Sequence, residues 1–73
     1  MAKSYRVVYS FHSSKASAQK SLNIIKKKFP DAYIIEEGLT YIVELGNFYN
    51  RLEAEETIHK AVMAGYWGGI YKG

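Results

Sequence analysis

The chain has 73 residues, 48% of them apolar and 23% charged, with no cysteine. This is the composition of one small globular domain, and it excludes a multidomain enzyme, a disordered chain, and a fold stapled by disulfides or by thiolate-bound metal. The formal charge of +3 hides an asymmetry: residues 1–30 carry seven Lys and Arg and no acid, whereas residues 31–73 carry three Lys and Arg and seven acids.

Tyr5 to Ser10 alternates with period 2, which puts Tyr5, Val7 and Tyr9 on one face of a first strand and Arg6, Val8 and Ser10 on the other. Ser13 or Ser14 caps a first helix in which Ala18, Leu22, Ile25 and Phe29 form one apolar stripe, and Pro30 stops it near Lys28 or Phe29. Ala32 to Glu36 reads as a second strand and Thr40 to Leu45 as a third, joined through Gly38 by a loop of three or four residues. Asn50, followed at the capping-box spacing by Glu53, opens a second helix buried through Ala54, Ile58, Ala61 and Val62. Gly65 sits where a left-handed residue closes that helix, and Gly69 to Lys72 makes a short last strand.

The chain also repeats itself. Ala18, Leu22 and Ile25 match Ala54, Ile58 and Ala61 at a constant offset of 36, while Phe11 and Phe48 are 37 apart, which reads as one residue missing from the first copy. Two strand–helix–strand units, about 5–37 and 41–72, make a single domain over 4–73. The order β-α-β-β-α-β predicts an α+β, ferredoxin-like fold, a four-stranded antiparallel or mixed sheet with both helices on one face. The first and third strands are expected to be central and parallel. Two helices on one face would set the basic helix beside the acidic one, and that is the reading adopted for the charge asymmetry over a polyanion-binding face.

A sheet covered on one side leaves the other open. With Val7, Ile34, Val43 and Ile70 turned to the helices, the open face receives Arg6, Val8, Ser10, Tyr33, Ile35, Thr40, Ile42, Glu44 and Tyr71. This set is more apolar than a solvated face requires, and a patch of that kind marks an interaction site. Tyr41-Ile42-Val43-Glu44-Leu45-Gly46-Asn47-Phe48, then Glu53-Ala54-Glu55-Glu56 and Ala64-Gly65-Tyr66, resembles the SPOR domain, the sporulation-related repeat, and the resemblance runs from Tyr5 to Lys72. It implies a non-catalytic domain that binds peptidoglycan glycan strands, especially those stripped of stem peptides, on the open sheet face. It further implies a bacterial envelope location, a role in cell division or sporulation, and attachment to a larger protein such as a wall amidase. Any export or anchoring signal would then lie outside this chain. In the family's first strand, Val8 stands where Gln is usual, and in its third Ile42 stands where a basic residue is frequent.

On that reading Tyr33 and Tyr71 are platforms for the C–H faces of sugar rings, with Val8, Ile35 and Ile42 as the floor of a groove. Ser10, Thr40 and Glu44 supply hydrogen bonds, and Arg6 pairs either with a muramic acid carboxylate or with Glu44 across the sheet. No cofactor, metal or catalytic residue is expected. His12-Ser13-Ser14 lacks an acid partner for a nucleophile and reads as a helix cap. His12 and His59 read as surface residues, Glu36-Glu37 as a solvated turn, and Lys26-Lys27-Lys28 as a solvated helix end able to steer the domain toward anionic polymers. Two alternatives remain for the open face: an RNA-binding module of the RRM plan, whose aromatic third-strand run is absent here, and homodimerisation through the sheet. No apolar run reaches membrane-spanning length, and no signal peptide is read at the N-terminus.

Overall fold

A computed structural model describes residues 3–72. Its elements are β1 (Tyr5–His12), α1 (Lys15–Ile25), β2 (Tyr33–Glu37), β3 (Thr40–Phe48), α2 (Arg51–Met63) and β4 (Gly69–Lys72). Ser14 caps α1, its Oγ accepting from the Ser17 amide at 3.2 Å. The helix ends earlier than its apolar stripe suggests. Past Ile25 the chain tightens into turns, with Lys28 N–H donating to Ile25 O at 3.0 Å and Phe29 N–H to the same oxygen at 2.9 Å. Asn50 caps α2 in both directions: its Oδ1 accepts from the Glu53 amide at 2.9 Å, and its Nδ2 donates to Glu53 Oε1 at 2.7 Å. Gly65, at φ 88°, ends α2 in a Schellman motif, with Tyr66 N–H donating to Ala61 O and Gly65 N–H to Val62 O. The β2–β3 loop has two residues rather than three or four, because Gly38 takes φ 59° at its first position, which lets the chain reverse at once.

The sheet order is β2-β3-β1-β4, and every pairing is antiparallel. β1 and β3 are central as expected but antiparallel to each other, which corrects the parallel assignment. The α1 crossover returns β2 in the direction of β1, and the hairpin then reverses β3. The fold is ferredoxin-like α+β. Val7, Tyr9, Val43 and Leu45 pack with Ala18, Leu22 and Ile25 of α1 and Ala54 and Ala61 of α2 in one core on the helix side. Ile58 and Phe29 are only partly buried, and Val62, expected inside, is 56% exposed because it lies about 100° round the helix from fully buried Ala61.

Two β-bulges decide what reaches each face. Leu45 and Gly46 together oppose Val7, and Tyr9 and Ser10 together oppose Val43. The alternation of β1 therefore runs Val8 out, Tyr9 and Ser10 in, Phe11 out. A Cβ at Gly46 would meet the Phe48 ring at 2.6 Å, so any other residue at this bulge requires that ring to move. The register maps onto itself under a shift of 36 positions: Val7 opposite Gly46 matches Ser10 opposite Val43, and Arg6 opposite Asn47 matches Phe11 opposite Ile42. Tyr33 opposite Glu44 likewise matches Gly69 opposite Val8. No residue is missing from the first copy. Phe11 corresponds to Asn47, and Phe48 to His12.

Candidate functional site

The sheet face away from the helices is uncovered. Its floor is Val8 and Ile42, each 3% exposed, with the Glu44 side chain beside them fully buried. These residues lie outside the helix-side core, so their burial comes from neighbours on the open face itself. Chief among these is Arg6, which reaches across from β1. Its Nε donates to Glu44 Oε1 on β3 at 2.7 Å, and its Nη1 lies 3.3 Å from Glu37 Oε2 on β2. The hydrogen bond that Arg6 donates to Glu44 raises the Arg6 pKa above its ordinary value against the opposing pull of burial, so the guanidinium remains charged. Arg6 thus takes the cross-sheet partner that the sequence offers it. Arg6 Nη2, Glu44 Oε2 and Asn47 Oδ1 are buried without a hydrogen-bond partner among the described residues.

Phe11 and Tyr71 stand over one side of this floor, 52% and 47% exposed, edge to face at 5.4 Å between centroids. With Arg6, Val8, Glu37, Ile42 and Lys72 they enclose a recess of about 270 Å³. Around the β1–β4 edge a second recess of about 490 Å³ shares Val8, Phe11 and Tyr71 and adds Trp67, Gly68 and Gly69. Trp67 is 61% exposed and is held flat by stacking on buried Tyr9 at 5.0 Å and 28°. On the other side of the floor Tyr33 pairs opposite Glu44 and Ile35 opposite Ile42, both half-buried. Burial first, and then the Glu44 charge, raise the Tyr33 phenol above its ordinary pKa. Thr40 closes this side opposite Glu37 at the hairpin.

Eight of the nine residues expected on the open face are there: Arg6, Val8, Tyr33, Ile35, Thr40, Ile42, Glu44 and Tyr71. Ser10 is the correction. The bulge turns it to the helix side, where its Oγ hydrogen-bonds to Ser21 Oγ of α1 at 2.9 Å and to His12 Nε2 at 2.8 Å. His12 is consequently no surface histidine: it is half-buried, and its Nδ1 hydrogen-bonds to Ser17 Oγ at 2.8 Å. Period-2 reading missed Phe11, Glu37, Asn47 and Trp67. The one signal for Phe11 was its failure to align with Phe48 at the helix offset.

No family model matches the chain, and no curated protein matches it in sequence. In three dimensions it is similar to the peptidoglycan binding domain of the B. subtilis cell wall lytic enzyme CwlC, with a TM-score of 0.83, 22% sequence identity, and coverage of 100% of this chain and 92% of that one. At that identity the likeness establishes the fold. Among the described residues no group of three or more His, Cys, Asp or Glu is placed to hold a metal ion, and no helix is long and apolar enough to cross a membrane. What the face offers is exposed aromatic edges, an apolar floor and one buried ion pair. That combination suits a ligand with both C–H faces and hydroxyls.

Proposed function

We propose that the open sheet face binds the glycan strands of bacterial peptidoglycan, preferring strands denuded of stem peptides, and that the domain thereby brings a larger protein to the cell wall or septum without catalysing a reaction itself. The observation that carries this reading is the uncovered face, where two half-exposed aromatic rings stand above an apolar floor beside a charge pair. The fold it shares with a domain whose ligand is peptidoglycan supports it, as does the SPOR resemblance of the sequence. Pyranose rings would lie with their C–H faces on Phe11, Tyr71 and Tyr33. Hydroxyls, acetamido groups or a lactyl carboxylate would engage Arg6, Glu44 and Thr40.

Co-sedimentation with purified sacculi, untreated and amidase-treated, with single-stranded RNA as the control ligand, tests the reading. More domain should pellet with treated sacculi, and RNA should not compete. Phe11→Ala and Tyr71→Ala should each weaken sacculus binding by about threefold to tenfold, the worth of one aromatic contact, while the variants stay folded at the assay temperature. If both variants pellet like the wild type, the open face is not the binding surface.

A further inference from the structure

We propose that the glycan site continues over the β1–β4 edge and ends on Trp67, whose free face stacks one further sugar ring of the same strand. This rests on the glycan reading and extends it by one subsite. β4 pairs with β1 only from Tyr5 to Val8, so β1 runs on from Tyr9 to His12 with no strand on its outer side. Among the described residues no main-chain hydrogen bond joins 66–68 to that stretch. The recess of about 490 Å³ lies along this bare edge. It shares Val8, Phe11 and Tyr71 with the recess over the floor, so the two adjoin and lead from Arg6 to Trp67.

Trp67 is placed as a platform. One face of its indole lies on Tyr9, at 5.0 Å and 28°, while Tyr66 holds Tyr9 from another direction, edge-on at 6.0 Å and 84°. The stack fixes the plane of the indole, yet the residue stays 61% exposed, which leaves the opposite face bare. Covering Tyr9 needs no more than an aliphatic side chain, whereas a ring held flat with one face free takes the C–H face of a pyranose. Gly68 and Gly69 put main chain rather than side chains into the wall between Trp67 and Tyr71. The unpaired main-chain groups of β1 are partners for the hydroxyls. The same edge is poor at taking another strand. It is short, and the bulge at Tyr9 and Ser10 breaks the even spacing of its N–H and C=O groups, as edges protected from pairing do. A peptide or a second copy would find no regular ladder there, and a single sugar ring needs none.

Denuded glycan oligosaccharides of graded length, prepared from amidase-treated sacculi, are the probe, with affinity read by competition against sacculi. Trp67, the single tryptophan, is its own reporter. Its emission should shift as the wild type is titrated, and affinity should rise with length until the added ring reaches Trp67. Trp67→Leu, which still covers Tyr9, should bind the long oligosaccharides about threefold to tenfold more weakly, the worth of one aromatic contact, and the short ones as the wild type does. Leu52→Ala, at an exposed apolar residue of α2, should bind every length as the wild type does. Oligosaccharides that bind without moving the emission, a result that needs no variant, overturn the subsite and leave the open face standing. A folded Trp67→Leu variant that binds every length like the wild type does the same. So does emission that answers instead to released stem peptide, or to protein concentration without sugar, since a peptide or a second copy then fills the recess. A wild type that binds neither sacculi nor oligosaccharides overturns the glycan reading and the subsite together.

Discussion

Removing Arg6 should cost more than removing the acid it holds, and removing both should cost least. Glu44 has no exposed surface, whereas a fifth of the Arg6 side chain is exposed and Arg6 keeps a second partner in Glu37. Arg6→Met retains a stem over Val8 and Ile42 but strands a buried carboxylate. Breaking a buried pair in this way costs about 3–5 kcal/mol, and the wet side of the pair places this case near the low end. Glu44→Leu leaves a guanidinium that can still reach Glu37 and water, at about 1–2 kcal/mol. The double variant removes both charges and should lie within about 1 kcal/mol of the wild type, or above it. For a chain of this length total stability is about 4–11 kcal/mol, so the single Arg6 variant loses a large share of it. Urea unfolding followed by Trp67 fluorescence measures all three, since Trp67 is the single tryptophan and sits on Tyr9. An Arg6→Met cost below about 1 kcal/mol, or a double variant no more stable than Arg6→Met, would refute the reasoning. The folded double variant should also fail to pellet with sacculi, which would show that the pair is kept for the ligand rather than for the fold.

Ile25→Ala should destabilise by about 2–5 kcal/mol, because Ile25 is fully buried, whereas Val62→Ala should change the urea midpoint little. Gly46→Ala pushes a methyl group into the Phe48 ring and should cost about 1–3 kcal/mol, read as a lower melting temperature; an unchanged value would mean that the bulge relaxes freely. Burial raises the phenol pKa values of Tyr9 and Tyr33 above 10.0 in the folded state. A raised folded pKa stabilises below the unfolded value and is lost as pH rises through the folded one. The melting temperature should therefore show no tyrosine-linked loss up to about pH 10 and fall above it, more gently in Tyr9→Phe, with tyrosinate absorbance rising in step.

The fold was legible because each element carries its own punctuation: Ser14, Asn50, Gly65 and Gly38 cap or reverse the chain in the structure as their chemistry dictates. Most of the open face was legible too, since period 2 is a rigid consequence of strand geometry. What failed was continuity. A bulge adds one residue without a composition signal of its own, and past Val8 every facing in β1 shifts by one. That single event sent Ser10 to α1, brought Phe11 to the open face, and made Phe11 and Phe48 look like counterparts. The charge asymmetry is only partly accounted for: the basic and the acidic helix share one face and one core, yet among the described residues no α1 lysine forms an ion pair with an α2 acid.

The shift of 36 positions that relates the two halves also separates scaffold from site. Positions turned to the helices keep their character across the halves: Tyr5 and Tyr41, Val7 and Val43, Ile34 and Ile70, Ala18 and Ala54, Leu22 and Ile58. Positions turned to the open face do not: Arg6 matches Ile42, Val8 matches Glu44, Phe11 matches Asn47, and Tyr71 matches Ile35. Packing explains the first set, because both halves bury against one core and must fill it alike. The ion pair accounts for part of the second set, since Arg6 and Glu44 hold each other and their counterparts Ile42 and Val8 must differ from them, whereas half-exposed Phe11 and Tyr71 are under no such constraint. The approximate two-fold passes between Val8 and Glu44, and the unlike pairs around it leave Phe11 and Tyr71 on one side and Tyr33, Ile35 and Thr40 on the other. A face so divided has two distinguishable ends, and a polymer whose own two ends differ, as a glycan strand's do, would be held on it in one direction.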